Sequence, residues 1–147
     1  MQSDDKRLIG FQIKSVNNLI RRKLDIRFTE AGLGEISGVQ GPMLGYISDH
    51  SKNQDVFQKD LEKEFNIRRS TATVMLQTLE QKGYIVREPV EHDARLKRIV
   101  LTPKAVKADQ AIRKQVAAFN EELEANITLE EREALFKILD KVISNLS

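Results

Sequence analysis

A chain of 147 residues, 40% hydrophobic and 31% charged, has the size and composition of one domain able to bury its own core. It has no cysteine, which excludes disulfides, thiolate nucleophiles and thiol redox sensing; its two histidines, His50 and His92, are too isolated to suggest a metal site. No apolar run matches a membrane-spanning helix and "MQSDDKRLIG" lacks a signal-peptide pattern, so a cytoplasmic protein without membrane contact or cofactor is expected.

Taken in chain order, residues 5–28 read as a helix, because Leu8, Ile9, Ile13, Val16, Leu19, Ile20 and Leu24 recur at near-helical spacing. The stretch "TEAGLGEISGVQGP" holds four of the seven glycines and reads as a connector. A second helix is expected over 43–50, with Leu44 and Ile47 inward, and a short one over 56–65. The next runs from Arg69 to Lys82 and stops at Gly83; its Ala72, Met75, Leu76 and Leu79 form a stripe that must face a core. Two helices joined by so short a turn make a helix-turn-helix.

After Gly83 the period shortens. "YIVREPV" and "LKRIVL" read as the strands of a hairpin, with residues 89–96 as its loop. Thr102 is placed to N-cap a helix beginning at Pro103, and Thr128 with Glu131 forms a capping box for a last helix. Val106, Ile112, Val116, Phe119 and Leu123 stripe the first of these helices; Leu135, Ile138, Leu139, Val142 and Leu146 stripe the second. The expected class is mainly α: a winged helix-turn-helix with a two-stranded β wing, flanked by N- and C-terminal helices.

Charge is unevenly spread over this order. Residues 82–104 carry six Lys/Arg against three Asp/Glu, and residues 105–147 six against eight, so a basic middle precedes an acidic tail. Opposite the apolar stripe of the 69–82 helix lie Ser70, Val74, Gln77 and Gln81, with Thr71, Thr73 and Thr78 on the borders. The major groove of DNA admits one such helix, and hydroxyls and amides pair with base edges there. Arg68, Arg69 and Lys82 are candidate phosphate contacts that would fix register without reading sequence. An ordinary solvated face has the same composition, and only the charged hairpin tilts the balance toward nucleic acid.

On these residues the chain resembles the MarR family of bacterial transcription regulators, most sharply over residues 55–105. "QKDLEKEFNIRRSTATVMLQTLEQKGYI" is similar to that family's two DNA-binding helices, and "DARLKRIVLT" to its wing pattern of Asp-x-Arg followed by Leu-Thr. The resemblance implies a single domain over 1–147, with dimerisation helices at 1–30 and 103–147 and a DNA-binding lobe at 54–102. It implies a homodimer on the double-stranded DNA of a palindromic operator, acting as a repressor and released by a small anionic or aromatic effector. Arg95 would enter the minor groove, as suits a weakly hydrated guanidinium, with Asp93 orienting it or a nearby backbone group. Lys97 and Arg98 complete the basic wing, and His92 sits at its tip.

Two positions depart from the family pattern. Arg68 stands where relatives often place a small N-capping residue, so the recognition helix is expected to lack a side-chain cap. Val74 stands where many relatives carry an Arg, so a methyl contact to thymine is expected there. His50, Tyr46 and Arg27 are the residues nearest to effector-pocket candidates. The absence of cysteine and the separated histidines speak against the peroxide- and zinc-sensing branches of the family. A winged helix that binds protein rather than DNA is the rival reading. Enzymatic activity is not expected, because no phosphate loop, nucleophile elbow or metal spacing occurs.

Overall fold

The computed structural model describes residues 7–36 and 39–147, so the expected start of the first helix at residue 5 lies outside the described residues. The order is α1 (Ile9–Glu30), α2 (Gln40–His50), α3 (Gln58–Glu64), α4 (Arg69–Gln81), β1 (Ile85–Val90), β2 (Asp93–Leu101), α5 (Pro103–Leu123) and α6 (Leu129–Leu146). This is a mainly helical winged helix-turn-helix whose two strands pair antiparallel. The chain falls into two compact units, one running to Val116 and one of Ala117–Ser147.

The core of the first unit is built from stripes the sequence displays. Leu44 and Ile47 of α2, Leu61 of α3, and Ala72, Leu76 and Leu79 of α4 are all 0% exposed. Burying each large aliphatic side chain contributes about 1.5–3 kcal/mol. Phe28 of α1, Ile85 and Ile99 of the hairpin, and Ala105, Ala108 and Ile112 of α5 join the same cluster. The core therefore draws on helices beyond the expected 54–102 lobe.

Two helix ends fix the helix-turn-helix. At the end of α3, Asn66 turns left-handed with φ 49°, while its N–H reaches the Lys63 carbonyl and that of Ile67 the Glu62 carbonyl. At the end of α4, Gly83 does the same with φ 81°, while its N–H reaches Glu80 and that of Tyr84 reaches Leu79. Both close the last carbonyls of a helix in the six-to-one and five-to-two pattern, which favours Gly or Asn at the turning residue. Thr102 meets its expected role: its hydroxyl accepts from the Ala105 N–H at 3.3 Å and donates to the Gly83 carbonyl at 2.7 Å.

Two expectations need correction. The connector ends earlier than its glycines suggest, because α2 already begins at Gln40 and includes Gly41 and Pro42. Gly41 makes no turn there and lies beside α5, where a Cβ would stand 3.4 Å from the Ile112 side chain; Pro42 is tolerated because it lies in the first helical turn.

The hairpin loop is not residues 89–96. Pro89 pairs with Lys97 and Val90 with Asp93, leaving Glu91 and His92 as the turn and Ala94, Arg95 and Leu96 as extra residues bulging from β2. Val90, 7% exposed, anchors the tip, and the Asp93 carboxylate accepts the Arg95 N–H at 2.9 Å inside the bulge. An aspartate bonding two residues ahead shapes the bulge that follows the turn, a local signal the sequence carries without any Asn-Gly or Asp-Gly.

The second unit contains the end of α5 and all of α6. Its capping box forms as the sequence indicates: the Thr128 hydroxyl accepts from the Glu131 N–H at 3.1 Å and the Glu131 carboxylate from the Thr128 N–H at 2.9 Å. Those bonds, the backbone one first, hold the Glu131 carboxyl below its ordinary value. Arg132 adds a 2.8 Å bond to Glu124. No residue of α6 is buried.

Candidate nucleic-acid interface

With its apolar stripe fixed in the core, α4 presents its other side to solvent. Ser70, Thr71, Val74 and Gln77 are exposed, Val74 at 62%, and the first turn holds no acid. Arg68 occupies the N-cap in an extended conformation and makes no side-chain cap bond, as its identity suggests. The first N–H groups of α4 are therefore left for another acceptor. Thr73 is half-buried and less available than its neighbours: its hydroxyl donates to the Arg69 carbonyl at 2.8 Å and accepts from the Gln58 amide at 2.9 Å.

The bulge leaves Arg95 projecting into solvent, its side chain 94% exposed. Asp93 serves both parts of that residue. It takes the Arg95 N–H, and its carboxylate lies 3.6 Å from Arg95 Nε. So exposed an ion pair is weak, and a stronger anion can draw the guanidinium away from it. Bulges of this kind characteristically re-aim a side chain.

These two elements share one open groove of about 520 Å³. Arg69 and Thr73 of α4 line one side, and Arg95, Leu96 and Lys97 of the wing the other; Gln58 and Lys59 of α3 and Arg87 of β1 complete it. Five cationic side chains face a single acid, Glu62. Gln58, Lys59 and Arg87 escaped the sequence reading. Among the described residues Arg87 has Glu80 as its ionic partner, at 3.6 Å, and its Nε is buried without a hydrogen bond. Strand alternation could have found it, because an arginine two residues after buried Ile85 occupies a core-side position that demands a reason. Gln58 had no such signal, since its bond to Thr73 joins two different helices.

Two sequence candidates lie elsewhere. Lys82 donates to the Glu35 carbonyl at 2.6 Å at the far end of α4. It belongs to a network in which the Tyr84 hydroxyl donates to Glu35 at 2.9 Å and the Lys104 amine rests 4.4 Å from the Tyr84 ring. Burial and then the Glu35 bond push Tyr84 up to about 12, while the Tyr84 bond and then Lys104 hold Glu35 below its ordinary value. Arg98, expected as part of the basic wing, bonds Glu88 at 2.9 and 3.0 Å.

Among the possible effector residues, His50 stacks on Tyr46 at 3.8 Å and its Nδ1 meets the Tyr46 carbonyl at 2.9 Å, while Arg27 is half-buried on α1. His92 is exposed in the turn. Among the described residues no helix is long and apolar enough to cross a membrane.

Known proteins share this architecture. A MarR family model matches residues 35–96. The chain is 26% identical to the uncharacterized HTH-type transcriptional regulator YdgJ of Bacillus subtilis (strain 168) over 139 residues, covering 95% of this chain and 79% of that protein. The S. aureus MepR–DNA complex has the same fold, with a TM-score of 0.83 at 24% identity over 95% of this chain and 97% of that one. The transcription regulator MarR from Oenococcus oeni PSU-1 is 33% identical over 93% of this chain and 99% of its own, with a TM-score of 0.76. At that identity over nearly the whole length of both proteins, the chain belongs to the MarR family of winged helix-turn-helix transcription regulators.

Proposed function

We propose that this protein binds the palindromic operator of the genes it represses, as a cytoplasmic homodimer, and leaves it when a small anionic or aromatic effector binds. The observation that carries the DNA reading is the shared groove, in which the start of α4 and the tip of the wing converge with an excess of cations. In this reading Ser70, Thr71, Val74 and Gln77 meet base edges in the major groove, with the Val74 methyls against thymine. Arg68, Arg69, Lys59 and Lys97 meet phosphate, and Arg95 exchanges its loose Asp93 contact for the minor groove. Lys82, held by the Glu35 carbonyl, and Arg98, paired with Glu88, support the surface rather than touch nucleic acid.

The dimer supplies the second half-site. Leu8, Ile9 and Phe11 at the start of α1 and Leu135, Ile138 and Leu146 in α6 are between 48% and 83% exposed, more apolar surface than a monomer usually leaves in water. Two copies of α4 must then sit about 34–36 Å apart along the duplex, so an effector that alters the spacing of two lobes releases DNA.

Selection of bound duplexes from a random pool by the purified protein tests the reading. The expected product is an inverted repeat whose binding weakens steeply with salt through counterion release, with thymine favoured opposite Val74. Absence of duplex binding even at low salt would favour a protein-interaction module instead.

A further inference from the structure

Arg98 and Lys97 are neighbours on β2, and adjacent strand residues face opposite ways. Lys97 lines the cationic groove; Arg98 lines a separate cleft of about 270 Å³ with Gln54, Asp55 and Glu88. In that cleft Arg98 Nε and Nη2 bond Glu88 across the hairpin at 3.0 and 2.9 Å, and Nη1 lies 3.7 Å from Asp55 in the segment between α2 and α3. The next residue continues the connection: the Ile99 N–H donates to the Val56 carbonyl at 2.8 Å, and both side chains are buried. One guanidinium thus joins both strands of the wing to the body of the lobe, where a free two-stranded hairpin would be marginal in water.

We propose that Arg98 is a positioning residue for DNA binding: held by Glu88 and Asp55, it fixes the angle at which the wing offers Arg95 and Lys97 to the groove, and does not itself contact nucleic acid. The inference rests on the DNA-binding function above. It reverses an ordinary electrostatic expectation. Carboxylates near a DNA surface oppose binding, so neutralising them normally tightens it. If Arg98 touched phosphate, Glu88 and Asp55 would compete for it, and their removal would free it. As members of a clamp, they aid binding despite their charge.

The test is a titration of a labelled duplex recovered by selection, at several salt concentrations, with wild type, Glu88→Gln, Asp55→Asn and Arg98→Met. Glu88→Gln and Arg98→Met are expected to weaken binding roughly 3- to 5-fold, as for a partly exposed ion pair, and Asp55→Asn less. The slope of log affinity against log salt is the same in Glu88→Gln and Arg98→Met, because both variants lose only what the angle of the wing supplied. The Glu88→Gln effect shrinks in an Arg95→Ala background, which a general loss of stability would not produce. Tighter binding by Glu88→Gln, or an Arg98→Met slope shallower than that of Glu88→Gln by about 0.9, the signature of a phosphate contact made by Arg98 itself, overturns the clamp. Glu88→Gln keeps the side-chain shape and carries the test if Arg98→Met fails to fold. Failure of the wild type to bind any duplex overturns the DNA reading and the clamp with it, whereas wild-type binding with a tighter Glu88→Gln overturns the clamp alone.

Discussion

α4 and α6 carry apolar stripes of similar regularity and treat them in opposite ways. Ala72, Leu76 and Leu79 of α4 are 0% exposed, whereas Leu135, Ile138 and Leu146 of α6 stand 48%, 53% and 83% in solvent. α1 is divided along its own length: Leu24 and Phe28 pack on the core, while Leu8, Ile9 and Phe11 do not. An amphipathic period reports that a helix has a face to cover; it does not report what covers it. In α4 the cover is the same chain. For the terminal helices, the proposed cover is a second copy, and the contrast becomes one between a self-sufficient lobe and a half-built interface.

Removing residues 128–147 tests the contrast most severely. The expected product is a monomer by light scattering whose duplex affinity falls about 100-fold or more, because two linked half-site contacts become one. A truncated monomer that kept wild-type affinity would contradict the dimer. Next, Leu76→Ala should cost the lobe about 3 kcal/mol in urea unfolding, whatever the protein concentration. Leu135→Ala should instead produce a loss that varies with concentration, since its cover is another molecule; an unfolding midpoint independent of concentration would end that distinction. Arg95→Ala, at a fully exposed tip, should leave the melting temperature unchanged and lower duplex affinity on the order of 10-fold.

The smallest effect concerns the Glu35–Tyr84 contact, which joins the segment after α1 to the start of the hairpin. Glu35 is depressed below its ordinary 4.5, so its contribution is present above that pH and disappears as pH falls through the folded value. Tyr84 is raised from 10.0 to about 12, so its contribution is complete below pH 10.0 and disappears as pH climbs toward 12. Melting curves across pH should lose the acid limb in Glu35→Gln and the alkaline limb in Tyr84→Phe. Unchanged limbs in both variants would show the contact to be energetically silent.

Much of the fold was legible because its signals are local. The Gly83 stop, the Thr102 cap, the Thr128–Glu131 box and the α4 stripe each depend on residues within one or two turns of each other, so sequence spacing carries the geometry. The exposed row of Ser70, Val74 and Gln77 follows from the same stripe by exclusion. The errors occurred where distant segments meet. α2 takes Gly41 and Pro42 into its first turn, beside Ile112 of a helix far along the chain, and the register of the wing depends on a bulge held by Asp93. Lys82 and Arg98 look like any other basic residues until Glu35 and Glu88, separated from them in the chain, come within bonding distance.

What the sequence alone determined about this protein is its element order, the helix caps at Gly83, Thr102 and Thr128, and the polar face of its recognition helix, because backbone capping and side-chain periodicity act over a few residues. Tertiary structure decided which cations remain available to a ligand. Arg69, Arg87, Arg95 and Lys97 converge on one groove from three elements, while Lys82 bonds a backbone carbonyl and Arg98 a carboxylate elsewhere. Charge acts through space, and only the folded chain sets those distances.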